Sequence, residues 1–259
     1  MKFDVNTLPS RGIPYAVKSI DVQPFRPRHM PYISEAIMLG SNEPLIEAVS
    51  MVMDFDTYQL TDGDFYYFLT WLRFNSRDIP MTADWECEGT MFRRVDTGEV
   101  MSVDAIDELI LQWENAKGTE AAATMVDPHE LDFEDVDCGH VNKQFVTFED
   151  FRVKQMPNIE LDPRLDYPRV RHMPEYLELL QDRRYTKIIG PTRFIKDGFT
   201  LKEKLQIVES MEDMELFDKA SRAHFELEHG VMQGLKKKCA KCGTLHDFAT
   251  TIDAQSFFV

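Results

Sequence analysis

Arg28-His29-Met30-Pro31 returns residue for residue as Arg171-His172-Met173-Pro174. Ile20-Asp21-Val22-Gln23-Pro24 precedes the first copy, and Ile159-Glu160-Leu161-Asp162-Pro163 precedes the second. An amphipathic stretch follows each. Further on, Cys87 with Cys138-Gly139 is echoed by Cys239 with Cys242-Gly243. A tetrapeptide containing His and Met, flanked by matching features in the same order, reads as one ancestral unit duplicated and fused. The expected fold is α+β: two pseudo-symmetric repeats, each of helices plus a small β-sheet with a zinc-knuckle-like hairpin. Residues 1–18, with Pro9, Gly12 and Pro14, are expected to form an extended N-terminal arm. The first repeat is placed at 19–151 and the second at 152–259.

Periodicity sets the helices. One is expected after Pro31, through Ile33, Ala36 and Ile37. A second starts near Asn42 with Pro44 in its first turn and Leu45, Val49 and Val52 on one face. Thr61-Asp62-Gly63-Asp64 reads as a capped start, and Phe65, Phe68, Leu69 and Leu72 at i, i+3, i+4 and i+7 make the third helix the best supported. A strand carrying Trp85 leads into Cys87. In the second repeat, Pro174 opens a helix. Residues 184–196 read as a connector with strand character, broken at Gly190-Pro191. Thr200 and Glu203 fit a capping box. A long helix runs from about Glu212 to Glu228 and ends at His229-Gly230.

The cysteines carry the chemistry. Cys-x-x-Cys-Gly at 239–243 is a knuckle, a tight turn that brings two thiolates together. In the first repeat the two cysteines are separated by an insert, residues 88–137, that grows from the knuckle tip. The insert is acidic near its end (Asp127, Glu130, Asp132, Glu134, Asp135, Asp137) and holds a helix candidate from Val103 to Asn115. Two knuckles supply four sulfurs, which close a tetrahedral shell with no open position. Cys87, Cys138, Cys239 and Cys242 are therefore expected to share one structural zinc, with His140 and His246 as substitute ligands. Buried reduced thiols are the alternative.

Other groups are assigned structural work. His29 and His172 are expected to cap or pack, with Arg28 and Arg171 paired to acidic residues of their own halves. His224, Glu228 and His229 lie on or just past the last helix, but His-Glu-x-x-His is absent. A metal-dependent hydrolase is therefore a lesser alternative, and no catalytic residue is assigned. Lys236, Lys237, Lys238 and Lys241 flank the second knuckle. The chain has 259 residues, 43% apolar, with 29 basic against 45 acidic residues and a net charge of -16. Such a charge repels phosphate backbones, so no nucleic-acid partner is expected. No signal peptide and no run of about 18 apolar residues is seen, so no membrane partner is expected either.

The residues also suggest a family. Leu8-Pro9-Ser10-Arg11-Gly12-Ile13-Pro14-Tyr15 and Leu60-Thr61-Asp62-Gly63-Asp64-Phe65, leading on to Leu72-Arg73 and Trp85-Glu86-Cys87, resemble the baseplate hub assembly proteins of T4-like contractile-tailed bacteriophages. The end is similar as well, from Cys239-Ala240-Lys241-Cys242-Gly243 to Ile252-Asp253 and Ser256-Phe257-Phe258. The long acidic insert departs from the family's simpler first knuckle. The resemblance implies a structural or assembly component of a tail baseplate, a non-catalytic protein–protein adaptor. Its partners would be other baseplate and tail proteins, with several copies in a symmetric assembly. It would reside in the virion tail baseplate, and in the host cytoplasm during assembly. The alternative is a transient assembly chaperone absent from the virion.

Overall fold

Helices and short strands alternate in the computed structural model, which describes residues 1–76, 80–119, 125–248 and 255–257. In chain order they are β1 (Lys2–Asp4), β2 (Ser19–Asp21), α1 (Met30–Leu39), α2 (Glu43–Ser50), α3 (Asp62–Ser76), β3 (Met81–Glu86), β4 (Thr90–Arg94), β5 (Val100–Met101), α4 (Val103–Ala116), β6 (Phe133–Asp137), β7 (Val141–Val146), β8 (Phe151–Lys154), α5 (Met173–Leu180), α6 (Ile189–Thr192), α7 (Leu201–Glu209), α8 (Met214–Glu226), β9 (Gly230–Lys238) and β10 (Leu245–Phe248). The fold is α+β with small sheets. Among the described residues no helix is long and apolar enough to cross a membrane.

Two compact units emerge: residues 1–79, 151–233 and 250–259 in one, and 80–150 with 234–249 in the other. The first is helical, and the second is built of hairpins. Their boundaries differ from the arm and the two halves expected at 1–18, 19–151 and 152–259. Each compact unit draws on both halves, because the strands that carry the cysteines gather together.

In the helical unit α3 is central. Thr61 Oγ1 accepts from the Asp64 amide at 3.3 Å, which caps the helix start, and Asp62 and Asp64 sit favourably in its first turn. Phe65, Phe68, Leu69 and Leu72 are all fully buried, as their spacing predicts. Residues 1–18 are not an extended arm. β1 pairs antiparallel with β2, Phe3 meets Phe68 and Trp71 edge-on at 5.2 Å each, and Leu8 and Ser10 are buried. Arg11 and Gly12, at φ 56° and 69°, reverse the chain. Asp64, itself fully buried, then accepts from the Ser10 amide at 3.0 Å and the Tyr15 hydroxyl at 2.5 Å. The apolar and polar contacts of this loop outweigh the extended tendency of its prolines.

The repeated Arg-His-Met-Pro has one conformation in both places. Arg26 (φ −118°, ψ 165°) and Arg169 (−116°, 152°) each lead into a single 3-10 turn. His29 (−91°, −15°) and His172 (−91°, −8°) then open α1 and α5, with Pro31 and Pro174 in the first turns. Both histidines are 1% exposed. His29 Nδ1 accepts from the Arg26 amide at 2.9 Å, so this ring caps. Among the described residues, Arg28 and Arg171 are set against the histidines, not against acidic partners. Their Nε atoms lie 3.0 and 3.3 Å from the neighbouring Nε2, and Arg171 also covers the Phe199 ring. The preceding segments differ: Ser19–Asp21 is a strand, whereas Ile159–Leu161 is irregular.

Residues 184–196 correct the expected strand-like connector. Turns lead into the short helix α6, which contains Gly190 and Pro191. Pro191 is tolerated there because the first-turn N–H groups have no helical partner anyway. Gly190 is required because a Cβ would lie 2.5 Å from His224 Nε2. The Thr200–Glu203 capping box forms as expected at α7. α8 follows from its cap at Asp213.

Candidate metal centre

The hairpin unit positions the four cysteines. β3 pairs antiparallel with β7, and β9 with β10, each pair meeting at a knuckle. The registers are equivalent: Glu86 faces Val141 and Trp85 faces Asn142, while Lys238 faces Leu245 and Lys237 faces His246. The backbone bonds of the two knuckles also correspond. Cys87 N–H donates to His140 O at 2.9 Å and Cys239 N–H to Thr244 O at 2.9 Å. Gly139 N–H returns to Cys87 O at 3.1 Å and Gly243 N–H to Cys239 O at 3.0 Å. Gly139 (φ 55°) and Gly243 (φ 75°) occupy the left-handed region that this turn needs.

The insert leaves the first knuckle at its tip. The Cys138 amide donates to Gly89 O at 2.8 Å, Thr90 faces Asp137, and the strands run in the order β5-β4-β6. α4 forms where periodicity places it, capped by Ser102, yet none of its residues is fully buried. The junction is tight, since a Cβ on Gly89 would lie 2.3 Å from Thr244 Oγ1.

All four thiols are free and buried. Their sulfurs lie within 4.8 Å of one another. Cys87 and Cys242 are 3.4 Å apart, and Cys138 and Cys239 are 3.8 Å apart. A tetrahedral centre with bonds of about 2.3 Å has edges of about 3.8 Å, so these distances suit a four-coordinate ion. Donors surround the sulfurs. Gly89 N–H points at Cys87 at 3.3 Å and Lys241 N–H at Cys239 at 3.4 Å, whereas the Cys242 thiol itself donates to Thr244 Oγ1 at 3.1 Å. Burial pushes the Cys87 thiol up to about 12 and raises Cys138. At Cys239 burial acts the same way, but the Cys242 amide, the Asn142 side chain and the Lys241 amide outweigh it and bring the thiol down to about 5. A cation at the centre would offset the cost of ionising the others. The donor set therefore fits a metal ion held by four thiolates. Four such ligands would fill a tetrahedral shell.

Of the substitute ligands, His246 sits beside the cluster with Nε2 3.0 Å from Cys87 Sγ, whereas His140 contributes its carbonyl. The cysteines are the only group of three or more metal-capable residues among the described residues. His224, Glu228 and His229 line one cavity with Asp62 and Arg193, but they do not form a metal-capable group among the described residues. His229 is engaged on both ring nitrogens, with Thr61 Oγ1 at 2.8 Å and Leu227 O at 2.7 Å, and Glu228 pairs with Lys154 at 2.9 Å. Beside the knuckle, Lys237 is tied to Asp150 at 2.6 Å. Asn142, only 2% exposed, was missed from sequence. Its Nδ2 lies 3.4 Å from Cys239 Sγ. The available signal was its position, four residues after Cys138 as His246 is after Cys242. Ile252-Asp253, part of the C-terminal motif of the resemblance, lies outside the described residues. No protein-family model, curated protein or solved structure matches the chain.

Proposed function

We propose that this chain is a non-catalytic structural or assembly component of the hub region in a contractile phage-tail baseplate, stapled by one structural zinc. The observation that carries the structural half of this reading is the closed set of four buried thiols within 4.8 Å. Thiolate ligands at tetrahedral spacing favour zinc, and a closed shell contributes folding energy, not chemistry. The matched registers and backbone bonds of the two knuckles, with the shared conformation of the two Arg-His-Met-Pro segments, support a tandem duplication. Such a chain offers two quasi-equivalent surfaces, which suits bridging of rings of unequal symmetry.

The phage half rests on the motif resemblance. Its support is that the two motifs work as one device: Ser10 and Tyr15 of the first converge on Asp64 of the second. The insert suits a protein–protein role. It carries fourteen acidic side chains against three basic ones between residues 88 and 137, a field that attracts basic partners.

The test has two arms. Metal analysis of the purified chain should give about one zinc per chain, lost in Cys239→Ser. Mass spectrometry of purified tails, beside assembly in the absence of the chain, addresses location. Presence in tails supports a structural component. Absence from tails that nonetheless fail to assemble without the chain supports the chaperone alternative. Normal tails without the chain would refute both.

A further inference from the structure

Asn142 and His246 occupy the same place in the two hairpins. Each is the fourth residue after its second cysteine, and each faces the second residue before its first cysteine, Trp85 or Lys237. Each reaches away from its own knuckle to the first cysteine of the other. Asn142 Nδ2 donates to Cys239 Sγ at 3.4 Å, and His246 Nε2 lies 3.0 Å from Cys87 Sγ. We infer that Asn142 and His246 are reciprocal positioning residues of the metal centre, each hydrogen-bonding a thiolate across the pseudo-two-fold axis, so that together they clasp the knuckles and retain the ion.

The chemistry requires such donors. Four thiolates around a divalent cation leave a net charge of about −2 in a buried site, and N–H groups directed at sulfur disperse it. A metal-bound thiolate carries no proton, so it can only accept. The His246 ring must therefore hold its proton on Nε2. The geometry keeps both donors aimed. The Asn142 amide is used fully: Oδ1 accepts from the Ala240 amide at 2.9 Å and Nδ2 also donates to His140 O at 3.0 Å. The amide cannot turn over without losing these bonds, and it joins β7 to the second knuckle. The His246 ring lies nearly parallel to Phe248, 25° between planes, with Trp85 at 6.0 Å on another side. Unlike residues carry out the same task in the two halves, which is why the pair escapes a search for identical residues.

This inference rests on the reading that the four thiols hold a metal. It is tested on the full chain with zinc and with cobalt(II). Asn142→Leu and His246→Leu each remove a donor. Each is expected to lower zinc affinity by about 10–100-fold in competition with a chromophoric chelator, and to shift the sulfur-to-cobalt charge-transfer band. His246→Asn transplants the other half's donor and is expected to restore both. Leucine variants that bind within about twofold of the parent, with an unchanged cobalt spectrum, would overturn the assignment. So would a His246→Asn variant as impaired as His246→Leu. Should a leucine variant fail to fold, His246→Gln keeps an amide donor and Asn142→Asp keeps the shape without N–H. Retention in the first and loss in the second support the inference, and the reverse overturns it. A parent chain that takes up no metal would sink the zinc reading itself. A parent that binds one ion, with indifferent variants, sinks only the role of these two residues.

Discussion

If the four thiols hold the proposed zinc, removing it should unfold the hairpin unit and spare the helical one. Apart from the four cysteines, the buried apolar side chains among the described residues of the hairpin unit are Met91, Val146 and Leu235. At about 1.5–3 kcal/mol each they supply about 5–9 kcal/mol. A structural zinc of the proposed kind would contribute about 10–16 kcal/mol at pH 7, more than any other single stabilising contribution in this unit. The helical unit has its own interior around α3 and a second cluster of Met156, Leu165, Phe194, Ile195, Leu216 and Ala220. Chelation, or Cys239→Ser, should therefore abolish amide hydrogen-exchange protection in β3, β7 and β10. Protection in α3 and α8 should persist. The melt should split, with the early transition restored by added zinc. Undiminished protection of β3 and β7 in the metal-free chain would refute the reasoning, since three side chains would then suffice.

Other outcomes are equally specific. Asp64→Ala leaves the Ser10 amide buried without an acceptor and the Tyr15 hydroxyl with only its longer bond to Thr61 Oγ1 at 3.4 Å. Chemical denaturation of the helical unit should show a loss of about 1–3 kcal/mol, the cost of one unsatisfied buried group. Gly63→Ala drives a Cβ to 2.4 Å from His229 O, an overpacked contact expected to cost about 1–3 kcal/mol by the same measurement. His172 is buried, and desolvation together with Lys204, Arg193 and Arg171 pushes its pKa down to about 3. The unfolded chain therefore takes up this proton first. The stability that neutral His172 contributes is complete above pH 6.5 and is lost as pH falls toward 3, at about 1.4 kcal/mol per pH unit. Between pH 6.5 and 5, His172→Gln should flatten the stability profile by about 2 kcal/mol relative to the parent.

Much of the helical layout was legible because its causes are local. The spacing of Phe65, Phe68, Leu69 and Leu72, the Thr61 cap and the Thr200–Glu203 box act within a few residues, and these segments fold as they read. The Cys87, Cys138, Cys239 and Cys242 cluster was legible for a related reason. Thiols spaced around tight turns with a following glycine have few stable arrangements, and a 50-residue insert at a knuckle tip leaves the pairing strands untouched. By contrast, residues 1–18 and 184–196 misled. Prolines and glycines mark breaks in a sequence, but whether a broken segment lies free or packs depends on what reaches it. Here Phe68, Trp71 and Asp64 reach the first segment, and His224 reaches the second.

The sequence by itself thus determined most of the helical segments, the caps at Thr61 and Thr200, and which four sulfurs a metal would need. Only the tertiary structure decided that Asn142 and His246 serve opposite cysteines, and that the N-terminal loop is buried on α3. It also decided that the chain forms two compact units that each draw on residues from both expected halves. Propensity and periodicity are summed over neighbours in the chain. These last features arise where residues far apart in sequence compete for the same buried space and the same hydrogen-bond partners, a competition that no local pattern records.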